Sequence, residues 1–143
     1  MTAEEVIAAL GLKPYPEGGF YAETFRDPLP WHTGVERPVS TAILFLLAEG
    51  QVSAWHRVTD AAEVWHFHAG APLELEMAPP TGGATETLRL GVDLLTGERP
   101  QAVVPANCWQ RAKSTGVWTL VGCTVSPGFV FERFEMAPPG WEP

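Results

Sequence analysis

Three of the four histidines, His56, His66 and His68, fall with Glu63 inside thirteen residues of a chain of 143. An imidazole and a carboxylate in one pocket suit proton transfer near neutral pH, because each charge favours the other: the histidine pKa rises and the carboxylate pKa falls. Side chains alternate along a strand, so Glu63, Trp65 and Phe67 share one face and Val64, His66 and His68 the other. Both faces carry large residues, which predicts a strand buried on both sides. A buried carboxylate needs a partner, and His56, on the preceding strand, is the nearest candidate in sequence. The pair His56 and Glu63 therefore reads as catalytic acid and base or as metal ligands inside one pocket; the competing reading is a structural hydrogen bond. His66 and His68 point away from that interior unless a β-bulge flips the parity, in which case one of them joins His56 at a metal. His32 follows Trp31 in a proline-flanked loop and reads as a surface residue. Glu23, Thr24, Trp55, Trp65, Trp109 and Gln110 are the further substrate-binding candidates, since an aromatic wall with a few polar groups is the usual make-up of a small-molecule site. Six tryptophans in a chain of this length suit sugars or flat rings.

The elements that must position these residues are strands. One short helix opens the chain: Thr2 can cap it, Glu5 lies three residues on, Val6, Ile7 and Leu10 share a face, and Gly11 stops it. After that the helical period disappears. The stretches 19–26, 39–48, 51–56, 63–69, 73–77, 84–90, 101–104, 108–112, 117–125 and 129–135 read as strands separated by Gly/Pro punctuation, the pattern of a sandwich or barrel. Residues 28–38 and the tail Trp141-Glu142-Pro143 read as irregular, with no repeat and no linker, so residues 1–143 read as one domain.

Composition narrows the function. The formal net charge is −8, with nine basic residues scattered through the chain. An acidic surface repels phosphate backbones, so nucleic acid is not an expected partner. The longest apolar stretch, 42–48, is too short to span a bilayer. The N-terminus lacks a basic start and an apolar region, so no targeting segment is read there. Cys108 and Cys123 sit in apolar stretches and read as two reduced thiols, which fits a cytoplasmic protein. Gly18-Gly19 and Pro127-Gly128 are turns rather than phosphate loops, and no serine nucleophile elbow is present.

His56, Glu63 seven positions later and Gly70 seven further have the spacing of the first cupin motif. Pro105-Ala106-Asn107-Cys108-Trp109-Gln110 stands where the second would lie. Four longer stretches, 15–24, 55–58, 63–70 and 120–129, resemble the fifth cupin family, catalogued as a domain of unknown function, over roughly residues 5 to 137. The resemblance implies an all-β, RmlC-like double-stranded β-helix or jelly-roll barrel with a short N-terminal helix, and a homodimer. A typical cupin metal site uses three histidines and one glutamate. Here Val58 and Gln110 stand at two histidine positions, leaving His56, Glu63 and the weak oxygen donor Gln110, so a divalent metal would be held loosely if at all. The sequence leaves the cofactor otherwise unknown. The resulting expectation is an interior small-molecule pocket with isomerase or epimerase-type activity on a sugar-like or small polar metabolite. His56 would be the base or acid, Glu63 would orient it, and Gln110, Glu23 and Thr24 would hold substrate. The alternative is a non-catalytic, weakly metal-assisted binding protein.

Overall fold

The computed structural model describes residues 1–32 and 34–143. It begins with helix α1 (Ala3–Leu10), started by a reciprocal capping box in which Thr2 and Glu5 exchange hydrogen bonds and ended by Gly11 in the left-handed conformation. The helix lies on the outside of a sheet, where Ala3, Val6 and Leu12 pack on Leu46; Leu10 stays exposed.

Thirteen strands follow among the described residues. The first five are β1 (Lys13–Pro14), β2 (Phe20–Arg26), β3 (Pro30–His32), β4 (Glu36–Pro38) and β5 (Thr41–Ala48). Then come β6 (His56–Val58), β7 (Ala62–Gly70), β8 (Leu73–Ala78) and β9 (Glu86–Leu90), and finally β10 (Gln101–Val104), β11 (Trp109–Ser114), β12 (Trp118–Ser126) and β13 (Phe134–Met136). They form a six-stranded sheet in the order β1-β2-β5-β12-β7-β10, a five-stranded sheet in the order β13-β6-β11-β8-β9, and the separate ribbon β3-β4. All strand pairings are antiparallel. Strands returning across two facing sheets in this way make a jelly roll.

The core lies between the sheets. Phe45, Leu47, Trp65 and Val121 from the larger sheet meet Leu73, Leu75, Leu90 and Ala112 from the smaller. β5 is apolar on both faces for a visible reason: Phe45 and Leu47 face this core, while Leu44 and Leu46 lie under α1. β7 differs from its sequence reading. Glu63 and Trp65 are buried inside, but on the outer face Val64 and His66 are half-buried and His68 is exposed.

Two predicted strands are corrected. Residues 51–55 form no strand beyond an isolated bridge at Val52, because Ser53 bonds Ala112 through both its amide and its hydroxyl and Ala54 turns its amide to Glu17. The stretch 129–135 breaks into a 3-10 turn at Phe131–Arg133 and the short β13, which lets Phe129, Phe131 and Phe134 converge edge to face. Within the region read as irregular, Pro30–His32 and Glu36–Pro38 pair as the β3-β4 ribbon, with His32 exposed on it. No helix among the described residues is long and apolar enough to cross a membrane.

Candidate functional site

A cavity of about 90 Å³ opens at one end of the barrel, between the turn before β2, the inner faces of β2, β5, β7 and β12, the start of β6 and the 129–134 segment. Its polar floor is Glu17, His56, Glu63, Tyr15 and Cys123; its walls include Ile43, Val58, Val125, Phe129 and Phe134. Glu23 and Arg26 stand at the mouth, paired at 2.9 Å, and Arg26 also donates to the Phe129 carbonyl.

Glu17 reaches the interior because the turn carrying it is pressed onto β5. Tyr15 and Gly19 close that turn, and Gly19 has φ +79°. A Cβ there would lie 2.7 Å from the Leu46 carbonyl oxygen, so only glycine allows the approach. The turn is then tied to the start of β6 by a closed circuit. The Ala54 amide donates to the Glu17 carbonyl at 2.7 Å, His56 Nδ1 donates to the Ala54 carbonyl at 2.7 Å, and His56 Nε2 meets Glu17 Oε2 at 3.0 Å.

The circuit fixes the proton inventory. Ala54 offers a carbonyl, so Nδ1 carries a hydrogen, and a single further proton lies between Nε2 and the Glu17 carboxyl. Burial disfavours both charges. It lowers His56 from 6.5 to about 4, and burial with the nearby Glu63 pushes Glu17 well above the carboxylate range. The pair is therefore neutral imidazole and carboxylic acid. Glu63 is also raised by burial, to about 7, although Gln110 and Cys123 both bond it and oppose the rise. Gln110 Nε2 donates to Glu63 Oε1 at 2.7 Å, and Trp65 Nε1 donates to Gln110 Oε1 at 2.7 Å, so the amide cannot flip. Burial likewise raises the Tyr15 hydroxyl and the Cys123 thiol, so neither ionises near neutral pH.

The aromatic wall is held by a buried guanidinium. Arg37 donates to both Asp60 carboxylate oxygens at 2.7 and 2.8 Å and to the Gly128 carbonyl at 2.7 Å. Asp60 also meets Arg133 at 3.2 Å.

The family model for the cupin superfamily, Cupin_5 (DUF985), matches residues 4–137. The chain belongs to this cupin family. A protein from Shewanella oneidensis, known from its X-ray structure, is 40% identical, with 96% of this chain and 85% of that one covered and a TM-score of 0.88. A hypothetical protein from Leishmania major is 30% identical, covering 96% and 88%, also at TM-score 0.88. A dTDP sugar isomerase from Desulfovibrio desulfuricans shares the fold at 15% identity, covering 90% and 80%, with a TM-score of 0.61. No curated protein matches the chain.

Within this cupin barrel, His56, Glu63 and Glu23 line the cavity, but His56 and Glu63 are not bonded to each other. The expected mutual pairing is corrected: Glu17 partners His56, Gln110 and Cys123 partner Glu63, and the pKa directions are the reverse of a His–Glu ion pair. Gln110 and Trp65 stand behind Glu63 and do not line the cavity. Thr24 is skipped by the β2-β5 ladder, is exposed, and bonds the Ala42 carbonyl. Trp55 and Trp109 pack elsewhere, against Trp141, with Arg111 and Arg57 over their rings.

The superfamily's metal position is a poor fit to these residues. Both His56 nitrogens and the Gln110 oxygen are already engaged, and Val58 is apolar. β7 does bulge, at His68, but the irregularity turns neither histidine inward. His66 stays outside, between Thr124 and Gln101, and His68 lies over Gly122. Among the described residues no three His, Cys, Asp or Glu side chains are disposed to hold a metal.

Sequence reasoning missed Glu17, Tyr15, Tyr21, Arg26, Cys123 and the three phenylalanines. Glu17 was hidden in a turn cluster, where acidic residues are ordinarily solvated. The one signal was its position between Tyr15 and Gly18-Gly19 in a stretch that resembled the family.

Proposed function

We propose that the cavity is a proton-transfer site for a small polar metabolite, of isomerase or epimerase type. The observation carrying this reading is the one-proton Glu17–His56 pair facing a separate, raised carboxyl, Glu63, in one enclosed space. Two titrating groups pushed to different states by their surroundings are the usual sign of an acid and a base. Glu63, half-ionised near neutrality, accepts a proton from carbon beside a carbonyl. The Glu17–His56 pair returns one to the same carbon. Glu63 then holds the proton taken, the pair lacks one, and exchange with solvent restores both. Glu17 takes the orienting role first assigned to Glu63, and Gln110 positions Glu63 without touching the ligand. The cavity volume limits the buried part of the ligand to a few heavy atoms.

The test is solvent deuterium incorporation, followed by NMR, into a panel of small hydroxy-carbonyl compounds. Exchange abolished by His56→Ala and by Glu63→Gln supports catalysis. Saturable binding with no exchange supports the alternative, a non-catalytic binding protein. We further propose that residues 1–143 act as one domain in a cytoplasmic homodimer. The exposed apolar side chains Phe25, Leu29, Trp31 and Val103 support self-association, and sedimentation at micromolar concentration tests it.

A further inference from the structure

We propose that the cavity takes its ligand by a protonated primary or secondary amino group, seated between the Glu63 and Glu17 carboxyls and against the rings of Tyr15, Phe129 and Phe134. This rests on the reading of the cavity as a small-molecule site and names the ligand's charge.

Three observations carry it. The lining holds three carboxyl groups, Glu17, Glu23 and Glu63, against one guanidinium, Arg26. That guanidinium is half exposed at the mouth and already bonds both Glu23 oxygens and a backbone carbonyl, so it brings no spare positive charge to the floor. His56, the other nitrogen base, has both ring positions occupied and is neutral. An anionic group placed inside would meet carboxyls with nothing to compensate it.

The second observation is the walls. Tyr15 and Tyr21 meet edge to face at 4.4 Å on one side, and Phe129 and Phe134 at 5.6 Å on the other. Ring faces attract cations, most strongly where water is excluded. The third is the state of the two buried carboxyls. Burial raises the proton affinity of both, and Glu63 raises that of Glu17 further. A cation between them offsets burial and repulsion together, which a hydroxyl group does only through a single hydrogen bond. N–H donors favour a primary or secondary amine over a quaternary one, because a carboxylate accepts hydrogen bonds that a quaternary nitrogen cannot donate. The net charge of −8 raises the concentration of cations around the whole molecule.

Three probes of similar size share a hydroxymethyl group and carry beside it an ammonium, a hydroxyl or a carboxylate: ethanolamine, ethylene glycol and glycolate. Each is titrated into the unaltered protein at low salt, with methyl signals of Ile43 and ring signals of Phe134 as reporters of the cavity. Ethanolamine is expected to bind saturably, about tenfold or more tighter than ethylene glycol, with glycolate weakest. Glu63→Gln should reduce ethanolamine affinity about tenfold. If that variant does not fold, the charge series on the unaltered protein decides alone. Ethylene glycol or glycolate equalling ethanolamine overturns the inference. So does glycolate binding that Arg26→Gln abolishes, or ethanolamine binding that leaves the Ile43 and Phe134 signals unmoved. Ethanolamine preference without deuterium exchange in any substrate upholds the inference and sinks the catalytic reading. Exchange into neutral carbonyl compounds with no amine preference does the reverse.

Discussion

His56 is held at about 4, below its ordinary 6.5, so between those values the folded chain binds fewer protons than the unfolded chain. Stability from this residue falls as pH falls through that window. Glu63 acts in the opposite sense. It is held at about 7, above its ordinary 4.5, so the folded chain binds more protons between those values and stability falls as pH rises. Glu17, raised by the same causes, adds to that slope. The two effects oppose each other between pH 4.5 and 6.5, and above 6.5 only the carboxyl slope remains. Calorimetry should therefore show the melting temperature declining from pH 6.5 upward. Glu63→Gln should remove its own share of that decline, about 1 kcal/mol between pH 6.5 and 8, leaving the share due to Glu17. His56→Gln should expose the carboxyl slope from pH 4.5. A melting temperature flat from pH 6.5 to 8 in the unaltered protein would contradict the buried, raised carboxyls.

The element that matters most for the site is a turn. Gly19→Ala places a Cβ against the Leu46 carbonyl and asks alanine for φ +79°. The turn must lift, and Glu17 lifts with it. The expected cost is about 2 kcal/mol in denaturant unfolding, accompanied by a His56 pKa shift, read by NMR, that a substitution at Gly11, in the helix cap, would not cause. Unchanged His56 titration in a folded Gly19→Ala protein would separate the turn from the site. The strands were legible because alternation and apolar runs repeat: β5, β7, β8, β10, β11 and β12 lie within two residues of their predicted bounds. The site was legible only where it lay on a strand, at Glu23 on β2, at Glu63 on β7 and at His56 beginning β6. Glu17 and the phenylalanine wall were not, because neither has a period to read. Their placement depends on a left-handed glycine and on Arg37 and Asp60, which bind across the chain at separations of 91 and 23 residues. The tryptophans misled for a related reason: composition counts aromatic rings but cannot say which cluster a ring joins.

At the scale of the whole molecule the rings divide into two populations on opposite errands. Trp55, Trp109 and Trp141 form a cluster outside the cavity, with ring centroids of 6.1 and 4.7 Å from Trp141, and Glu142 bonds Trp55 and Arg111. The tail read as irregular thus fastens the end of the chain to the five-stranded sheet. Trp141→Ala should cost about 2 kcal/mol in stability while leaving ligand binding and the His56 titration unchanged. Loss of both together would mean that the two populations are coupled, contrary to their separate packing.

The circuit through Ala54 has a consequence for how this protein can be watched. The Ala54 backbone is gripped on both sides, its amide by Glu17 and its carbonyl by His56, and so it joins the six-stranded sheet's hairpin to β6 of the other sheet. Its amide hydrogen can leave for solvent only when the grip opens. Hydrogen–deuterium exchange at this one backbone position should slow when a ligand fills the cavity and quicken in Glu17→Gln, and so make Ala54 an intrinsic gauge of the site that needs neither label nor substrate.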